Sequence, residues 1–262
     1  MNEKQHFNNN SSFDKDDLNA RITKIIQSLK SYRLKYEAQR DSRAIFTYTY
    51  ELMTMQIGKS LFTCGFLDPE WIVKLDEEFA SRYFMAMDAY DEGGEVPAGW
   101  SYILNVLHQR RTSVLEEMII GMVAHIVWDL PLSLAETGQA SKNSETRLHD
   151  FHLMNDVLGH SINLLQDSVG KRYNPMLNLL DKLFGTHDEI ITNFGIRIAR
   201  GIAWYNACRL QNQYLKSDTM RSIAESPKHL AKEILTPKLW TLAFISRLFR
   251  IFLSLFRRWN LE

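Results

Sequence analysis

The chain has 262 residues, 45% apolar and 24% charged, with 31 Lys and Arg against 31 Asp and Glu. That balance excludes a collagen-like repeat, a disordered chain and a multi-span membrane protein, and a net charge of zero supplies no general field for nucleic acid. With 14 Phe, 10 Tyr and 6 Trp against only 12 Gly and 6 Pro, there is material for a large core and little turn punctuation. Cys64 and Cys208 stand far apart in apolar surroundings. They read as free, buried thiols in a reducing, cytoplasmic compartment, since two cysteines cannot build a disulfide framework.

Residues 1–13 include Asn8-Asn9-Asn10-Ser11-Ser12 and no apolar run, so a disordered tail is expected there rather than a secretory signal. From Asp14 onward apolar residues recur at three- and four-residue spacing, and strand-like alternation is missing. The predicted helices lie near 14–40, 42–62, 69–90, 99–130, 143–168, 174–184, 187–215 and 237–259. Asp68-Pro69, Thr186 with Glu189, Ser226-Pro227 and Thr236-Pro237 are start signals, and Gly93-Gly94 and Gly138 are stops. The expected fold is all-α: one helical-bundle domain over 14–235 around a buried central helix, followed by a basic amphipathic helix over 236–262.

The most informative segment runs from Met118 to Asp129, where apolar side chains occupy the whole helix circumference, the pattern of a helix buried on every side. Its ionisable residues, His125 and Asp129, are four apart and share one face. Pro131 cannot donate to the carbonyl of Val127 and should bend or end the helix beside Asp129. Two readings stay open: a satisfied core pair, or a pair that supplies metal ligands or a base with its orienting carboxylate. A site would need a third polar group, and Leu148–Leu165 is the natural donor. There Asp150 interrupts an inner face of Phe151, Met154, Val157 and Leu158, with Asn155 at its margin, whereas His149, His152 and His160 gather on the wet side. His125, Asp129 and Asp150 are therefore the candidates to hold one divalent metal ion or to act as acid and base.

These residues belong to a wider pattern. Phe46-x3-Tyr50-x3-Thr54, Leu75-Asp76-x2-Phe79-Ala80-x2-Tyr83-Phe84, Pro97-x2-Trp100, Gly121-Met122-x-Ala124-His125-Ile126-x2-Asp129-Leu130-Pro131-Leu132 and Asp150-Phe151-x3-Asn155 together resemble the helical family called domain of unknown function 5995 over roughly residues 20 to 215. The resemblance implies an all-α fold and a shared site, makes Asp76 a further candidate, and brings no established activity. Val123 and Val127 depart from it, standing where Asn and a polar residue are common. A weaker resemblance, to zinc-dependent phospholipase C, rests on His-x3-Asp with a following Pro-Leu. The later ligand pair is missing, because Leu153 stands four residues after His149.

Phosphate loops, dinucleotide fingerprints, Gly-x-Ser-x-Gly elbows and His-Glu-x-x-His are absent from the sequence. In the helix from His187 to Gln211, Arg197 and Arg200 share a face with Trp204, opposite Ile198, Ile202 and Tyr205. That face reads as solvated; lining a cleft, the two arginines would clamp an anionic group. Over 237–259, Arg247, Arg250, Arg257 and Arg258 fall on one side of an apolar helix. This is the pattern of a helix lying in a membrane interface, or of one packed on the body or on a second copy in a homodimer. The functional expectation is an enzyme acting on an apolar small molecule or lipid, with Trp128 lining the pocket and Asn155, Arg197, Arg200 and Asp76 contacting substrate. The alternative is a non-catalytic helical module for a hydrophobic ligand or protein partner.

Overall fold

The computed structural model describes residues 14–138, 144–175, 187–236 and 257–259. Among them the chain forms helices and no strand. A long antiparallel pair, α1 (Lys15–Ala38) and α2 (Arg43–Ser60), turns at Arg40, whose φ of 52° closes the connection. Helix α3 (Pro69–Asp91) starts where expected, with Pro69 in the first turn and the Asp68 carboxylate accepting from Trp71 N–H at 3.0 Å. Its apolar face carries Trp71, Ile72, Leu75, Ala80 and Tyr83 into the core.

The predicted 99–130 helix is two elements. Helix α4 (Ala98–His108) stops at a turn in which Arg110 takes a φ of 52°. Helix α5 (Val114–Ala124) then restarts on a capping box, Ser113 Oγ accepting from Glu116 N–H while the Glu116 carboxylate accepts from Ser113 N–H. Nor does Pro131 end this helix. The chain passes through a π turn, His125–Asp129, where Leu130 N–H reaches back five residues to the His125 carbonyl, and continues as α6 (Leu130–Glu136). Widening the turn accommodates a proline that has no N–H for Val127, and it does so at the two polar residues.

From Val114 to Glu136 this central helix has the length and apolarity to cross a membrane, but half of its most apolar window is buried against neighbouring helices, as in a core helix. It is not buried on all sides: Leu115, Met118, Ile119, Met122, Val123 and Ile126 are half-buried and line a cavity described below. Gly121 lets α2 approach, since a Cβ there would overlap the Phe46 ring, and Gly99 does the same for Trp128.

Helices α7 (Ser144–His160) and α8 (Ile162–Tyr173) divide the predicted 143–168 helix at Ser161. Helix α9 (His187–Leu210) is shorter than predicted, and α10 (Lys216–Leu235) was not anticipated, because Ser226-Pro227 reads as a helix start. Pro227 instead sits buried inside α10. Cys64 and Cys208 are exposed, not buried.

The predicted 1–13 tail lies outside the described residues, as do 237–256 of the predicted last helix. Residues 257–259 are not helical, and Arg257 is not on a solvated side. Its guanidinium holds the fully buried Glu117 at 2.9 and 2.8 Å, Arg258 N–H donates to the Tyr173 carbonyl at 2.7 Å, and Trp259 packs on the Tyr173 ring. Ser42 and Thr112 also donate to Glu117. A second buried carboxylate, Glu37, is held by Arg33, Arg172 and Tyr173, which pull its pKa below the ordinary value against the opposing effect of burial.

Candidate functional site

His125 and Asp129 do lie side by side. His125 Nδ1 and Asp129 Oδ2 are 2.8 Å apart, and both residues are buried. The same oxygen accepts from the Trp100 indole N–H at 2.7 Å. An indole can only donate, so Oδ2 accepts from Trp100; with Asp129 ionised, the imidazole proton sits on Nδ1 and Nε2 carries the lone pair. Burial lowers the His125 pKa, with Asp129 opposing, so the ring is neutral at ordinary pH. Burial likewise raises Asp129, against the pull of His125 and Trp100.

Aromatic rings fix the imidazole plane. Phe79 stacks on it at 3.5 Å between centroids and 9° between planes, and Tyr50 meets it at 4.4 Å. Both residues sit on regular helix faces, Tyr50 one turn beyond Phe46 in α2 and Phe79 one turn beyond Leu75 in α3.

Asp150 does not join them. It is fully buried, and its oxygens accept from the backbone N–H groups of Leu67 at 2.9 Å and Asp68 at 2.7 Å, with His149 Nδ1 at 3.1 Å. Its role is to tie α7 to the start of α3, the helix that carries Asp76. Among the described residues no three His, Cys, Asp or Glu side chains stand together as a metal site. The expected set of His125, Asp129 and Asp150 is therefore not assembled, because hydrogen bonds to the 67–68 backbone occupy the third acid.

The acid that shares a chamber with His125 is Asp76. Both line an inner chamber of about 50 Å³ together with Tyr50, Phe79, Met154 and Arg200. Among the described residues no hydrogen-bond partner reaches His125 Nε2, Tyr50 Oη or Asp76 Oδ2. Burial pushes the Asp76 carboxyl up to about 7, with nearby Glu77 adding to the shift and Arg200 opposing it. The chamber thus presents a buried acid able to keep its proton and a buried base able to accept one.

The predicted orientation of α9 is reversed. Arg200 is 3% exposed, whereas Ile198, Ile202 and Tyr205 are 46%, 53% and 60% exposed. Ala203 and Ala207 on the inward side are small enough to let α9 close on α6, and Arg200 finds partners inside. Its Nε donates to Asn155 in a short hydrogen bond, a terminal nitrogen meets Met154 Sδ at 3.2 Å, and the guanidinium lies 4.3 Å over Phe151. Burial lowers its pKa to about 10, with Asp76 opposing. Arg197 instead pairs with Asp156 at 2.6 Å near the surface. Trp128 is committed to the Gly99 contact and lines neither cavity described here.

A second, apolar cavity of about 300 Å³ adjoins the chamber. Met53, Met122, Ile126 and Ile196 belong to the walls of both. Apart from Thr49 and Gln166, its lining side chains are apolar. Tyr50, Phe79 and Trp100 escaped the residue-by-residue search for site residues, although the helix spacings of Phe46/Tyr50 and Leu75/Phe79 and the Pro97-x2-Trp100 run were visible signals.

Fold and site together define an all-helical protein with a buried histidine–aspartate pair whose histidine lines a small chamber that shares walls with an apolar cavity. The chain belongs to the family described as Family of unknown function (DUF5995), whose family model matches residues 22–237. No curated protein and no solved structure matches it. The resemblance to zinc-dependent phospholipase C finds no support, since the zinc ligand set it requires is not assembled among the described residues.

Proposed function

We propose that this protein binds an apolar small molecule or lipid and performs acid–base chemistry on it, with His125 as proton acceptor and Asp76 as proton donor. One observation carries the reading: His125 Nε2 is buried and unpaired at the chamber wall, while Nδ1 is held by a carboxylate. A structural histidine has no use for a lone pair desolvated without a partner. Asp129 acts here as a positioning residue, fixing the tautomer and stabilising the imidazolium that proton uptake creates, and Trp100 holds Asp129 in turn. The apolar cavity supplies the affinity, as burial of an alkyl chain requires no polar partner.

A non-catalytic hydrophobic-ligand module is the second reading, favoured by one observation: Asp150, the acid expected to complete the site, is engaged by backbone N–H groups. Turnover separates the two. Purified protein and the His125→Gln variant are incubated with a panel of long-chain esters, amides and ketones, and products are followed by mass spectrometry. A general base contributes on the order of 10²- to 10⁴-fold, so the variant should lose that much turnover while still binding. Turnover equal in both proteins would overturn the assignment of His125, and binding of panel members without turnover in either would favour the second reading.

A further inference from the structure

Arg200 is a buried cation that makes no ion pair with any of the described residues. Its hydrogen bonds go to the neutral Asn155 and to a thioether, and no carboxylate of the described residues stands within ion-pairing distance. Asp76 is the one acid that acts on it electrostatically, and that carboxyl group makes no hydrogen bond with the described residues. An unpaired buried charge is costly, and the chain avoids that cost at two buried carboxylates: Glu37 receives two arginines and a tyrosine hydroxyl, Glu117 an arginine and two hydroxyls. The exception faces a cavity.

We infer that the ligand is an amphipathic monocarboxylic acid, its carboxylate held in the inner chamber by Arg200 and its alkyl chain lying in the adjoining apolar cavity. Size and chemistry of both compartments agree. The chamber of about 50 Å³ admits a group of a few heavy atoms. The outer cavity of about 300 Å³, lined almost wholly by apolar side chains, has room for an alkyl chain of medium length such as that of decanoate. Tyr50 Oη, buried and without a partner among the described residues, supplies a neutral donor in the same chamber, and Asn155 aims the guanidinium by accepting its Nε–H. Met53 and Met122, part of the wall between the compartments, have unbranched side chains that can swing aside for a chain passing through. This assignment rests on the apolar-ligand reading above and adds the chemistry of the head group.

Titration calorimetry on the full chain with decanoate, decanol and methyl decanoate tests it. Decanoate should bind one molecule per chain, at least about tenfold more tightly than the two neutral probes, as a charge-assisted hydrogen bond predicts. Arg200→Gln should bring decanoate down to the affinity of decanol. Equal affinity of the three probes for the wild-type chain would overturn the carboxylate assignment and leave the apolar-ligand reading standing. Absence of binding by all three would overturn both. Undiminished decanoate binding by a folded Arg200→Gln variant would place the carboxylate elsewhere and refute the assignment of Arg200. Should that variant fail to fold, the head-group series on the wild-type chain decides the matter alone.

Discussion

Replacing Asp76 by asparagine removes a titrating group and keeps its shape. Burial carries the native carboxyl from an ordinary value of 3.8 to about 7, a rise of about 3 units. At about 1.4 kcal/mol per unit, ionising it in the fold costs at most about 4 kcal/mol. The direction follows from proton binding. Between these two values the native state keeps a proton that the unfolded chain releases, so the contribution of Asp76 to stability is complete below about pH 4. It is lost as pH rises through about 7, and is constant above that. The Asp76→Asn variant has no such loss. Urea unfolding followed by circular dichroism at pH 5, 6, 7 and 8 should therefore show the variant gaining on the wild type as pH rises, with the difference levelling off above pH 7. Glu117, raised by burial to about 6, titrates in the same window in both proteins and cancels in the difference. A difference that is flat from pH 5 to 8 would mean that Asp76 is not a protonated buried acid, and the acid–base pairing with His125 would fall with it.

Shortening the ligand chain by two methylenes, from decanoate to octanoate, should weaken binding by roughly 1.6 kcal/mol, about fifteenfold, in titration calorimetry. A change below twofold would show that the chain does not lie in the apolar cavity. Gly121→Ala puts a methyl group onto the Phe46 ring and should cost about 1 to 3 kcal/mol in chemical denaturation; no change would mean that the packing of α2 against α5 is looser than described. Arg257→Ala leaves the fully buried Glu117 with only hydroxyl donors and should cost about 3 kcal/mol or more, read as a lower denaturation midpoint. An unchanged midpoint would show that residues 257–259 do not brace α5. Asp150→Ala strips the acceptor from two backbone N–H groups and should destabilise by about 2 kcal/mol. Hydrogen exchange at Leu67 and Asp68 should rise with it, and unchanged exchange there would refute the tie.

Much of the site was legible because it depends on local periodicity. Two polar residues four apart in an apolar helix must meet, and His125 and Asp129 do. Asp76 was a candidate only through the family-like Leu75-Asp76-x2-Phe79-Ala80 run; beside Glu77 and Glu78 it reads as part of a wet helix surface, whereas the structure buries it among the core positions of α3. Asp150 was legible as a buried acid, yet its partner was not: the loop it holds lies more than eighty positions away, and capping of a remote backbone leaves no trace in spacing. The orientation of α9 failed for a related reason. Counting large apolar residues favoured Ile198, Ile202 and Tyr205 as the inner face, but close approach to α6 selects the small residues Ala203 and Ala207, and Arg200 travels inward with them. Hydrophobicity alone does not encode which face has room for a guanidinium stacked on Phe151.

The distribution of satisfied and unsatisfied polar groups argues that the chamber is there for a ligand. Where buried carboxylates tie helices together, the chain equips them fully: Glu37 receives two arginines and a tyrosine, Glu117 an arginine and two hydroxyls, Asp150 two backbone N–H groups. Around the chamber, His125 Nε2, Tyr50 Oη and Asp76 Oδ2 have no partner among the described residues, and Arg200 has no counter-ion. Each unsatisfied buried group costs on the order of 1 to 3 kcal/mol, and apolar residues of similar size would remove that cost. Thr54 Oγ1 and Trp71 Nε1 also lack partners among the described residues and lie outside the chamber; what distinguishes the chamber is that three such groups and a cation without an ion pair line one small space, where they complement a single polar group that the protein takes from outside itself.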